Sequence, residues 1–132
     1  MAVNLEIEDR LAPVKASGDQ LKQVFLNLIL NAVEAMPDGG QLTIQVYKGN
    51  GYIFVRFEDT GAGVEPEAMK HLFEPFFSTK HTGSGIGLAV SEEIIARHGG
   101  ALDVESAPEQ GAVFTVKLPV YPERELEQAI TH

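Results

Sequence analysis

The chain has 132 residues, 44% of them apolar and 22% charged, a composition that suits one soluble domain with a real core. Its formal net charge of −9 argues against nonspecific binding to nucleic acid or anionic membranes, which needs clustered Lys and Arg. It does not exclude a nucleotide, whose phosphates respond to local dipoles and to a metal. There is no cysteine, hence no disulfide and no thiol chemistry, and no apolar run approaches the ~20 residues of a membrane span. Met1-Ala2-Val3-Asn4 leads into a strand-like pattern rather than a signal peptide.

In chain order, Val3, Leu5 and Ile7 alternate with polar residues and predict a half-exposed strand. Leu11 to Lys15 reads as a short second strand, which Pro13 confines to an edge. Ser17-Gly18-Asp19-Gln20 has capping-box character and predicts the start of a helix that runs to about Met36. Leu21, Val24, Phe25, Leu28, Ala32, Ala35 and Met36 recur at helical spacing as its core face. Asn27, Asn31 and Glu34 share a flanking face, while Leu30 belongs to neither. Pro37-Asp38-Gly39-Gly40 ends the helix.

Leu42, Ile44 and Val46 predict a strand, Gly49-Asn50-Gly51 a turn, and Tyr52 to Glu58 the returning strand of a hairpin. Ile53, Val55 and Phe57 lie on one face of that strand, and Asp59 continues their parity, which turns its carboxylate toward the core side. Pro66 opens a short helix through Leu72, and residues 74–84 read as a loop. Ile86 to His98 predicts a second long helix packing through Leu88, Val90, Ile94 and Ile95, ended by Gly99-Gly100. Strands over Leu102 to Ser106 and Val113 to Leu118 follow, and the polar stretch from Tyr121 to His132 reads as a tail.

Three features bear on chemistry. Asparagine is a poor interior helix residue, so Asn27 and Asn31 one turn apart suggest either a solvated flank or hard oxygen ligands suited to Mg²⁺. Asp59 is either an ordinary Asp-Thr-Gly turn residue or, since a carboxylate only accepts hydrogen bonds, a reader of the exocyclic amine of adenine. Gly83, Gly85 and Gly87 open a helix and could cradle a phosphate, but they follow no strand and carry no P-loop lysine, so neither dinucleotide nor Walker fingerprints fit. Lys80 and His81 could meet a phosphate or be solvated, and no histidines have metal-ligand spacing.

In this order and spacing, the motifs resemble the ATP-binding catalytic domain of two-component sensor histidine kinases, within the gyrase, heat-shock chaperone, histidine kinase and MutL superfamily. Asn27-Leu28-Ile29-Leu30-Asn31-Ala32 resembles the N box and Asp59-Thr60-Gly61-Ala62-Gly63 the G1 box. Leu72-Phe73-Glu74-Pro75-Phe76-Phe77 resembles the F box and Gly83-Ser84-Gly85-Ile86-Gly87-Leu88 the G2 box. The resemblance implies an α/β sandwich, the Bergerat fold: a mixed, mostly antiparallel sheet with about three helices on one face, over residues 1–119, with a tail at 120–132. It implies that Asn31 binds Mg²⁺, Asn27 lines the phosphates and Asp59 reads adenine. The remaining ATP-binding positions it implies are Gly61, Gly63, Phe73, Lys80, Gly83, Ser84, Gly85, Ile86, Gly87 and Leu88.

Glu34 stands where many members have a basic residue, which makes Lys80 the cationic contact, as in nitrogen-regulation-type kinases that share Asn-Ala-x-Glu-Ala-Met-Pro and Phe-Phe-x-Thr-Lys patterns. No histidine lies in the His-Glu setting of a phosphoacceptor helix. The resemblance therefore implies a domain that binds Mg-ATP and donates the γ-phosphoryl group to a histidine on a separate dimerisation and phosphoacceptor domain, with a response regulator downstream. It also implies a cytoplasmic setting without direct membrane contact, whether or not the parent protein is membrane-anchored. Two rivals remain: an ATP hydrolase or serine kinase of the same fold, whose members carry a Glu at the position of Asn27, and an ATP-dependent binding module without catalysis.

Overall fold

The computed structural model describes residues 2–9, 11, 18–74 and 87–120. The strand expected over Leu11 to Lys15, the Ser17 cap and the tail from Tyr121 fall largely or wholly outside the described residues. Among the described residues eight elements follow one another: β1 (Ala2–Ile7), α1 (Gly18–Ala35), β2 (Gln41–Gly49), β3 (Tyr52–Asp59), α2 (Pro66–Met69), α3 (Gly87–Arg97), β4 (Ala101–Ser106) and β5 (Ala112–Pro119). The strands form a single sheet in the order β1-β2-β3-β5-β4. β1 runs parallel to β2 and every other neighbouring pair is antiparallel, so the sheet is mixed as expected. α2 is one turn shorter than the sequence suggested, and His71 to Phe73 continue as turn.

The β2–β3 hairpin is set by local chemistry. Gly49 pairs with Tyr52, which leaves Asn50 and Gly51 as a two-residue turn with φ of 50° and 82°. Such turns need φ above zero at both positions, and Asn-Gly supplies it at least steric cost. The hairpin register puts Leu42 opposite Asp59 and Ile44 opposite Phe57, and β3 in turn aligns Val55 with Val116 and Phe57 with Phe114.

Period-two alternation then sorts the faces. Leu42, Val55, Phe57, Phe114, Val116 and Leu118 meet Val24, Leu28, Ala32 and Met36 of α1 and Ile94 and Ile95 of α3 in one core. A Leu or Val buried as fully as Leu28, at 1% exposure, stabilises the fold by about 1.5–3 kcal/mol. Among the described residues no helix packs on the opposite face. It is closed by side-chain pairs instead: Tyr47 stacks on Phe54, Lys117 lies over the Tyr52 ring, and Arg56 donates to both Gln45 and Glu58.

β1 departs from the half-exposed strand expected of it. Val3, Leu5 and Ile7 share a face with Leu42, Ile44 and Val46, yet each stays more than half exposed. The reason is topological: β1 is the edge strand, and α1 and α3 pack over β3, β4 and β5. Among the described residues no helix is long and apolar enough to cross a membrane.

Candidate nucleotide site

α1 organises the site. Its core stripe docks on the sheet, so the flanking positions Asn27 and Asn31 are half-buried and Glu34 is exposed. Asn27 Nδ2 donates to the Gly87 carbonyl and to Ser91 Oγ, both at 3.3 Å. The polar face of α1 is thereby held against the first turn of α3. A Cβ added to Gly87 would touch the Asn27 side chain at 3.6 Å, so the two elements are in van der Waals contact there.

The end of α1 holds the loop after β3. A helix leaves its last carbonyls without intrahelical partners. The Ala35 carbonyl accepts a hydrogen bond from the Ala62 N–H at 3.2 Å, and Met36 O accepts from Gly39 N–H, with Gly39 at φ 95°. A Cβ on Gly61 would come within 2.5 Å of the Ala35 oxygen, which explains the glycine by close approach. Gly63 has φ 76° and its Cβ position is filled by the Ala107 carbonyl oxygen. In the described structure both glycines thus shape the loop against its neighbours.

Asp59 ends β3 at 4% exposure, on the core side as its parity demanded. Its Oδ1 accepts from the N–H groups of Gly61 at 2.8 Å and Ala112 at 3.3 Å. Two backbone donors on one oxygen fix the carboxylate plane and satisfy a charge that burial would otherwise penalise. Asp59 and Ser91 are the buried polar side chains among the described residues.

Phe73 is half-buried and packs against the core beside buried Leu72, and Leu88 packs against the same core from the first turn of α3. Lys80, Gly83, Ser84, Gly85 and Ile86 lie outside the described residues, as does His81. Of the remaining histidines, His71 Nδ1 pairs with Glu74 at 2.9 Å on the surface, and His98 Nδ1 meets the Ile94 carbonyl at 2.7 Å. The hydrogen bond that His71 donates to the Glu74 carboxylate, reinforced by the charge of Glu74, raises the His71 pKa above its ordinary value.

Sequence reasoning did not single out Ser91. A serine among Glu92 and Glu93 on an amphipathic helix reads as surface, and only the docking of α3 on α1 buries it.

Among the described residues no group of three His, Cys, Asp or Glu side chains gathers as a metal site. Asn31, half-buried on α1, offers an amide oxygen, a hard donor of the type Mg²⁺ takes. A cation that demands oxygens and keeps its waters can be held by one amide oxygen together with substrate phosphates, without an all-protein cage.

The arrangement defines a class: an open mixed sheet with helices packed on one face, a polar helix face tied to the start of α3, and a buried carboxylate at the end of β3. Residues 16–122 match the family of histidine kinase-, DNA gyrase B- and HSP90-like ATPases. The chain belongs to that family, as a catalytic domain of the sensor histidine kinase type. It is 43% identical to the sensor histidine kinase ZraS of Klebsiella oxytoca over 97% of this chain and 28% of that protein. It is 40% identical to the signal transduction histidine-protein kinase AtoS of Escherichia coli over 89% of this chain and 20% of that one. The chain therefore spans less than a third of the length of these relatives.

Among solved structures, the nucleotide-free catalytic domain of histidine kinase ThkA superposes with a TM-score of 0.81 at 31% identity, covering 93% of this chain and 81% of that one. Full-length ShkA in complex with AMPPNP superposes with a TM-score of 0.80 at 31% identity, covering 90% of this chain and 25% of that one. ThkA in complex with the response regulator TrrA gives 0.76 at 30% identity, covering 92% and 35%.

Proposed function

We propose that this domain binds Mg-ATP and donates its γ-phosphoryl group to a histidine supplied by a separate dimerisation and phosphoacceptor domain. One observation supports the reading: Asn27, in the N-box segment, donates to the carbonyl of Gly87, in the G2-box segment, so these two residues of separate motifs meet at the start of α3. Asp59, fixed through Oδ1, accepts the adenine amine and disfavours guanine, which presents a carbonyl at the matching position. Asn31 would hold Mg²⁺ together with phosphate and water oxygens, and the ion would neutralise charge on the phosphates when bound. Lys80 adds a cationic contact by its place in the sequence, and the N–H groups at the start of α3 favour an anion.

Phosphoryl transfer asks mainly for positioning and charge stabilisation. The acceptor imidazole already carries a lone pair in its neutral form, so this domain need not provide a strong base. That agrees with Asn27 at the position where hydrolases and serine kinases of the fold carry Glu. A response regulator would take the phosphoryl group from the histidine; a relative, ThkA, is known in complex with one.

The test is to incubate the domain with Mg-ATP labelled in its γ-phosphoryl group, with and without a phosphoacceptor-helix protein. The expected result is acid-labile, alkali-stable label on that partner and none on the domain alone. Label on serine, or release of free phosphate only, overturns the reading.

A further inference from the structure

Ser91 is one of the two buried polar side chains among the described residues, at 0% exposure, and the chemistry above gives it no task. Burying a hydroxyl in an otherwise apolar interface is unfavourable unless a hydrogen bond compensates. Its partner is Asn27, whose Nδ2 lies 3.3 Å from Ser91 Oγ and 3.3 Å from the Gly87 carbonyl. A backbone carbonyl can only accept, so the nitrogen end of the Asn27 carboxamide has to face α3. Gly87 O and Ser91 Oγ stand one helical turn apart and together receive that amide. With the nitrogen engaged, the oxygen is carried on the other branch of the planar carboxamide, away from both acceptors.

We propose that Ser91 is a positioning residue: by accepting from Asn27 Nδ2 it holds the carboxamide in the orientation that the Gly87 carbonyl selects, so that Asn27 presents oxygen rather than nitrogen on its nucleotide side. An amide oxygen repels a phosphate oxygen and suits a cation or a cation-bound water. Asn27 therefore serves the metal-accompanied form of the nucleotide. Gly87 O alone would leave the amide free to rock about its last torsion; the second acceptor removes that freedom. The inference rests on the nucleotide-binding reading above.

The test measures ATP affinity calorimetrically with Mg²⁺ and with EDTA for the unsubstituted domain, Ser91→Ala, Ser91→Cys, Asn27→Ala and the double variant Ser91→Ala/Asn27→Ala. Thermal unfolding is followed alongside, and Ser91→Cys keeps a γ atom that is only a weak acceptor, in case the alanine loosens the helix contact. Loss of one neutral hydrogen bond predicts about a 3- to 10-fold weaker Mg-ATP affinity in both Ser91 variants. The EDTA values should move less, and Ser91→Ala should add nothing once Asn27 is alanine. In the nucleotide-free domain, the Asn27 side-chain amide resonances should shift in Ser91→Ala.

An unchanged Mg-ATP affinity in both Ser91 variants, or an equal loss in the Asn27→Ala background, would overturn the positioning role while leaving nucleotide binding intact. An unsubstituted domain that binds no ATP with or without Mg²⁺ would instead overturn the nucleotide-binding reading, and this inference with it.

Discussion

At the residue scale, Asp59 shows how a short stretch acquires meaning. In the described structure it already serves the loop, since its Oδ1 accepts from Gly61 and Ala112. On the proposed reading it also serves adenine. Asp59→Asn keeps an oxygen for the backbone donors but can turn a donor toward the adenine amine. ATP affinity should fall by about 100-fold or more, because a buried polar pair is left mismatched. Calorimetry reads the loss, and an unfolding midpoint close to that of the unsubstituted domain separates it from misfolding. Unchanged affinity would refute the adenine-reading role.

His71 offers a pH test at the same scale. Its pKa is raised first by the hydrogen bond it donates to Glu74 and then by that residue's charge, against an ordinary value of 6.5. A folded pKa above the unfolded one means the pair's contribution is fully present below about pH 6.5 and is lost as pH rises through the folded value. Both side chains are largely solvated, so the effect on stability is small. An NMR titration should give His71 a pKa above 6.5 that returns toward 6.5 in Glu74→Gln.

At the element scale, two glycines of similar appearance should behave differently. Gly51 sits at φ 82° in the hairpin turn with open space where a Cβ would be, so Gly51→Ala should cost about 1 kcal/mol through backbone strain alone. ATP affinity should not change, since the turn lies at the opposite end of β3 from Asp59. Gly61→Ala would push into the Ala35 carbonyl, which the end of α1 cannot readily withdraw. It should cost about 1–3 kcal/mol and weaken ATP binding together, because the same loop anchors Asp59. Denaturant unfolding and calorimetry on both variants distinguish the cases.

The elements also mark what a sequence can reveal. α1, the hairpin and the parity of Asp59 were legible because local periodicity and turn chemistry dictate them. The exposure of β1 was not, since alternation predicts a buried face but cannot tell whether a helix lies over it. Asn27 was visible as an oddity on a helix, but its attachment to Gly87 joins residues 60 apart in sequence. Ser91 carried no signal at all until α3 was docked.

For the whole molecule, stability should follow occupancy. A ligand that binds only the folded state at a hundredfold excess over its Kd adds about 2.7 kcal/mol. Mg-ATP at that excess should therefore raise the melting temperature by several degrees, about 2–8 °C per kcal/mol for domains near this size. GTP should raise it far less. Equal shifts for both nucleotides would count against selection of adenine by Asp59. The chain spans between 16% and 28% of three sensor or sporulation kinases it resembles, so the separate acceptor domain proposed above would have to come from beyond the matched span.

By itself the sequence determined α1, α3 and the five strands of the sheet, the Asn-Gly turn, the core stripe of α1 and the membership of the family, because each depends on residues close together or on motifs kept in order. Only the tertiary structure decided that Asp59 is sealed at 4% exposure, that Gly61 and Gly63 are demanded by neighbouring carbonyls, and that Asn27 Nδ2 reaches both the Gly87 carbonyl and Ser91 Oγ. These depend on distances between segments remote in the chain, and such distances exist only once α1 and α3 pack side by side on one face of the sheet.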